Sequence, residues 1–192
     1  MCSYLRLQLW LSFVGSLTYT ILAPLVMKWH GVYWTTTMIS IYMLSTRLSG
    51  FVTPYFRNLS LLVGTVMWVF IDLGYFGITT LYFLSIEWYL LADAILLFFT
   101  LVFHSVFLVN FNAFCVTKYG EETFKDYSYT LHRVSSVSGI ITFSSVIVLE
   151  HFKTPVEYYF YIYWCGLVCC LALQSYNLYK HWTLLYNEHN KQ

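Results

Sequence analysis

Six long apolar runs, separated by short polar interruptions, organise the chain. They cover residues 7–27, 32–51, 59–84, 88–111, 131–149 and 158–179. Each approaches or exceeds the roughly 20 residues a helix needs to cross the hydrocarbon core of a bilayer. The pattern predicts an all-α, polytopic membrane helix bundle with six transmembrane helices, forming a single transmembrane domain over 1–192. The connections are short except for one, from about 112 to 130, and almost no chain is left for a soluble domain. The first run is preceded by one basic residue, Arg6, and no small-residue cleavage site follows it. It is also longer than the roughly 7–15 residues of a signal-peptide core, so it reads as a retained helix.

Composition sharpens this picture. The 192 residues are 59% hydrophobic, 21% aromatic and 10% charged. A soluble domain carries roughly 25% charged residues, so this chain is too poor in charge to cover a water-facing surface. A cytosolic globule and a disordered chain are both excluded. The net charge is +1 and no basic run is present, which argues against a nucleic-acid partner and leaves the lipid bilayer as the expected one. Basic residues set the expected orientation. With the N-terminus inside, Arg6, Arg47, Arg57, Lys118, Lys125, Arg133, Lys180 and Lys191 are cytoplasmic, and only Lys28 and Lys153 face outward. The expectation is N-in/C-in, in a bacterial inner (plasma) membrane. Trp29, Tyr33, Trp34, Trp88, Tyr89, Tyr158, Tyr159 and Trp164 gather near the outer boundary. Tyr4, Trp10, Tyr55, Tyr176, Tyr179 and Trp182 gather near the inner one. Such belts suit amphipathic rings at the headgroups.

No catalytic set is evident, so an enzyme is not expected. The five cysteines show neither CxxC nor zinc spacing, and they read as small packing residues rather than a metal or redox site. Ser138-Gly139 lacks the first glycine of an intramembrane serine-protease setting, and only His104 is deep enough to face a haem. Neither a cofactor nor a metal is expected. Glu121 and Glu122 sit beside Lys118 and Lys125 and read as a solvated face with local pairing.

The ionisable residues inside the spans are the candidates for function, because a charge at the bilayer centre costs roughly 2.5–3.5 kcal/mol on insertion scales. Arg47 in the second span and Asp72 in the third fall at similar depth. They read as a structural ion pair, with snorkelling of Arg47 or a gating role as alternatives. Asp93 and His104 share the fourth span, 11 residues or about three turns apart, and Thr100 lies on the same stripe. This is the best candidate for a polar path, and interfacial solvation with interhelical hydrogen bonding is the alternative. The stripe is expected to face the bundle interior. Ser135, Ser138, Gly139, Thr142 and Ser145 in the fifth span, with Ser12, Gly15 and Ser16 in the first, suit close helix packing or an aqueous wall.

Two stretches carry a family resemblance. The first is Arg47-Leu-Ser-Gly50-Phe-Val-Thr-Pro54-Tyr-Phe-Arg57-Asn, between the second and third spans. The second is Asn112-Ala-Phe-Cys-Val-Thr-Lys118-Tyr-Gly-Glu-Glu-Thr-Phe-Lys125, continuing to Arg133 and Gly139. With the six-span, N-in/C-in plan, the chain resembles one six-helix half of a major facilitator superfamily transporter. Gly50 and Arg57 match its glycine-acid-basic loop, whose acidic residue would fall near Pro54. The resemblance implies a half-size transporter or transporter subunit of unknown substrate, completed by a homodimer or a second half-transporter. Arg47, Asp93, Thr100 and His104 then lie along its polar path. The other expectation is a non-transporting interaction protein, resembling the bacteriocin immunity proteins, with a membrane-active toxin as partner.

Overall fold

A computed structural model describes residues 2–56, 58–83 and 89–190, and every element in them is helical. Arg57, Lys191, the predicted end of the third span at Leu84 and the predicted start of the fourth at Trp88 lie outside these residues. Seven α-helices follow in order: α1 Ser3–Thr20, α2 Leu22–Val52, α3 Leu61–Phe83, α4 Tyr89–Tyr119, α5 Glu121–His151, α6 Val156–Lys180 and the short α7 Trp182–His189. A 3-10 turn, Thr53–Phe56, follows α2.

Four of these helices are long and apolar enough to cross a membrane: α3, α4, α5 and α6. The expectation of six is therefore corrected to four for the described residues, and the two that drop out are at the N-terminus. The predicted first span, 7–27, is split at Ile21. Pro24 explains the split, because its ring has no N–H to donate and clashes with the carbonyl four residues back, that of Thr20. The predicted second span, 32–51, is the longer arm of α2, whose backbone breaks at Gly31 (φ 75°, ψ −170°). That arm is rich in hydroxyls that bond back onto their own helix, such as Thr36 Oγ1 to Val32 O at 2.8 Å and Ser40 Oγ to Thr36 O at 2.8 Å. These bonds hide the hydroxyl protons, but the arm stays too polar to rank with the other four.

The expected loop from 112 to 130 is also replaced. α4 runs on to Tyr119 and α5 starts at Glu121, with Gly120 as the only link. Gly120 sits at φ 85°, a left-handed conformation that favours glycine and reverses the chain in one residue. Glu121 and Glu122 occupy the first turn of α5, where the helix dipole favours acids, and Glu121 pairs with Lys125 at 2.9 Å.

In the bundle, α1 packs on α5 and α6, α6 on α1 and α3, and α4 on α2, α3 and α5. Two large buried clusters fill it, and a small one of Met38 and Ala94 lies between α2 and α4. Of the large ones, one contains Ile21, Leu25, Ile71, Tyr75, Phe103, Tyr163 and Leu167. The other joins Tyr4, Leu5, Leu61, Phe111, Cys115, Tyr127 and Leu185. That second cluster brings the beginning of α1 and the middle of α7 together, so both chain ends lie at one end of the bundle. Tyr4 and Tyr159, expected in the aromatic belts, are instead core residues. At the opposite end, Lys28 Nζ donates to Glu150 Oε1 (3.1 Å) and to Thr154 O (2.8 Å), and Tyr159 Oη donates to Glu150 Oε1 (2.6 Å). These bonds tie the short arm of α2 to the α5–α6 turn.

Candidate functional site

A cavity of about 410 Å³ opens between α1, α3, α4, α5 and α6. Its walls are mostly apolar, but each helix contributes polar atoms: Gln8, Ser12 and Ser16 from α1, Thr65 and Asp72 from α3, His104 from α4, Ser135 from α5, and Gln174 from α6. A space for it exists because α1 and α5 meet through small residues. Ser138 Oγ donates to Ser16 Oγ at 2.7 Å, and Gly15 presents no side chain to the gap.

Asp72 is the charged group of this site. It is 2% exposed, and Tyr19 Oη donates to its Oδ1 at 2.7 Å. The expected Arg47–Asp72 pair is not formed. Arg47 is exposed on α2, about 200° around the helix from Ser45 and Ser49, which face inward. α2 and α3 each pack on α4 rather than on one another. Asn110 of α4 donates its Nδ2 to Phe56 O at 3.0 Å, which pins the turn after α2 onto α4.

The helix α4 stripe divides. Asp93 is 7% exposed and lies near Tyr75 and Tyr163. Thr100, also buried, donates its hydroxyl to Leu96 O at 2.7 Å and lies beside Tyr75. One turn further on, His104 is exposed rather than facing the bundle interior as expected; its ring borders the open cavity and meets Trp68 edge-on, with ring centroids 5.6 Å apart. Asp93 and Thr100 are inside the bundle but not on the cavity wall. Among the described residues, neither Asp72 nor Asp93 has a lysine, arginine or histidine at ion-pair distance.

Tyrosines connect these parts. Tyr75 and Tyr163 each lie close enough to both Asp72 and Asp93 to feel their charge, and Tyr19 packs edge-on against Tyr75 with centroids 5.4 Å apart. Asp93, Tyr75, Tyr163 and Asp72 are therefore buried near one another, with the Tyr75 and Tyr163 hydroxyls making no hydrogen bond among the described residues and, of the three tyrosines, only Tyr19 bonded to an acid. Sequence reasoning placed the acids but missed Tyr19, Tyr75 and Tyr163. One signal was available: Tyr75 stands three residues after Asp72 and so shares its helix face.

A second polar group stands at the end where the termini meet. Asn177 is fully buried with neither amide atom hydrogen-bonded, and the His181 ring meets Tyr4 edge-on at 5.1 Å. Burial, with a smaller contribution from Lys180, holds the His181 pKa below the usual imidazole range.

Compared with known proteins, the chain matches no family model, no curated sequence and no solved structure. The coarse class rests on the chain itself: an all-helical protein with four helices fit to cross a membrane.

Proposed function

We propose that this protein is a multi-pass membrane transporter unit, organised like a half-size facilitator, in which a small solute moves through the cavity beside Asp72 and His104. The observation that carries the reading is the cavity. An intramembrane space of about 410 Å³ falls within the range of small-molecule sites, roughly 300–1,000 Å³. It is lined by an uncompensated carboxylate, an imidazole and several hydroxyls and amides, an expensive set to keep in hydrocarbon for packing alone. Asp93, Tyr75 and Tyr163 are buried behind it. The largely exposed sides of α2 and α5 leave surface for a second unit, which a half-size transporter requires. In this reading the termini and the α4–α5 hairpin are cytoplasmic, and the host membrane is the bacterial plasma membrane.

One observation favours the other reading, an interaction protein such as an immunity protein against a membrane-active toxin. α5 exposes Ser136, Ser144 and Ser145 among Ile140, Phe143 and Ile147, a face suited to receiving another helix.

The two separate without knowledge of a substrate. In a variant with its native cysteines replaced by serine or alanine, Ser12→Cys and Ser135→Cys are placed on the cavity wall. A membrane-impermeant thiol reagent is then applied to each side of proteoliposomes. A transporter exposes these positions to both sides in turn, so labelling from either side reaches at least half of the protein. Labelling from one side only, or from neither, supports the interaction protein and overturns the transporter.

A further inference from the structure

The cavity's lining also defines what it accepts. Resting on the transporter reading, we infer that it binds an organic monocation, a protonated or quaternary amine carrying an apolar group.

Three features combine to select this class. The first is charge. Asp72 is the cavity's carboxylate, and neither lysine nor arginine lines the wall. A buried carboxylate without a counter-charge is costly, and a ligand that brings a positive charge removes that cost. An anionic solute would add a second negative charge beside it in a medium of low dielectric, where repulsion is strong. The second is the rings. Tyr19, Trp68, Phe107 and Tyr127 present aromatic surface to the same space as Asp72. Aromatic faces attract cations by roughly 0.5–2 kcal/mol each, more when water is excluded. The third is the balance of polar and apolar lining. The surface of the wall is mostly apolar although Ser, Thr and Gln side chains also reach it, and with no lysine or arginine it offers a zwitterion's carboxylate no cationic partner beside Asp72.

Among the described residues that line the cavity, His104 is the one titratable base. In its neutral form it offers a ring nitrogen as an acceptor to an ammonium N–H. Tyr19 already donates to one oxygen of Asp72. It fixes the carboxylate and leaves the second oxygen as the natural contact for the cation.

The test uses the full chain in nanodiscs, with benzyltrimethylammonium as probe, phenylacetate as its anionic counterpart and neopentylbenzene as its neutral one. Binding is followed by tryptophan fluorescence. The expected result is that benzyltrimethylammonium binds at least tenfold more tightly than either comparator, and that Asp72→Asn weakens it at least tenfold. Equal binding of phenylacetate or neopentylbenzene, an unchanged affinity in Asp72→Asn, or no binding of the cation overturns the inference. Should Asp72→Asn fail to fold, protection serves instead. Benzyltrimethylammonium should slow thiol labelling of Ser135→Cys at least fivefold in the Asp72 background, while phenylacetate leaves the rate unchanged. No protection by the cation overturns the inference. Two-sided labelling without cation binding leaves the transporter reading standing and removes only the ligand class. One-sided labelling with tight cation binding removes the transporter and keeps the site.

Discussion

Asp72 is held by a phenol where the sequence suggested a guanidinium, and the exchange changes what a mutation should do. Tyr19 Oη sits 2.7 Å from Asp72 Oδ1, whereas Arg47 projects from the opposite side of α2. Hydrogen bonds to charged groups contribute about 1.5–3 kcal/mol, and contacting residues couple measurably while distant ones add. A double-mutant cycle of Tyr19→Phe with Asp72→Asn should therefore give a coupling energy of about 1 kcal/mol or more. The cycle of Arg47→Ala with Asp72→Asn should be additive within about 0.5 kcal/mol. Unfolding by SDS in mixed micelles reads both. The acids themselves were legible because charge in an apolar run stands out. Their partners were not, because the tyrosines that hold them look in sequence like those that line a membrane interface. Tyr75 and Tyr159 have the same side chain as the exposed Tyr158 and Tyr179, and only the packing of α3 and α6 separates core from belt.

Helix contacts in this bundle depend on a few very close approaches. Gly166 of α6 meets Thr18 of α1 so tightly that a Cβ added there would collide with the threonine hydroxyl and methyl and lie 3.0 Å from its Cβ. Thr18 is fixed in turn, since its Oγ1 donates to Val14 O at 2.8 Å. Overpacking a rigid contact costs about 1–3 kcal/mol. Gly166→Ala should lower stability by that amount, and adding Thr18→Ala should recover most of the loss, measured by the midpoint of thermal unfolding in detergent. Where helices exist was clear from the sequence over α3, α4, α5 and α6, because long apolar runs leave the backbone no other way to satisfy its hydrogen bonds in lipid. Where they stop was less so. The predicted first span ran through Pro24 because apolar length was weighed above proline geometry. The α4–α5 junction reads in sequence as a loop because Lys118, Glu121, Glu122 and Lys125 are polar. Polarity there reports solvent, and the helix continues through it with only Gly120 out of line.

At the scale of the whole molecule, the meeting of Tyr4 and Leu5 with Leu185 puts both termini at one end of the bundle. The chain must then cross the membrane an even number of times, whether or not α1 and the long arm of α2 span it fully. Arg6, Lys118, Lys125 and Lys180 belong to elements at that end, and it is the proposed orientation that puts this basic end in the cytoplasm. A membrane-impermeant thiol reagent should therefore reach Cys2, and a cysteine placed at Gln192, only from the cytoplasmic side of sealed vesicles. Labelling of either from the outside would reverse the orientation. The α4–α5 hairpin adds one more property. Each of its helices has 31 residues, or about 46 Å at ~1.5 Å per residue. The hydrocarbon core is only about 30 Å thick. For helices along the membrane normal the surplus, about 16 Å by that geometry, falls at the polar Gly120 end, where the hairpin packs against the start of α1 and α7. A small membrane protein seldom offers such a grip outside the lipid. A helical fusion partner inserted at Gly120 would inherit its direction from both helices and move with the bundle, giving an imaging marker that reports how the cavity is oriented.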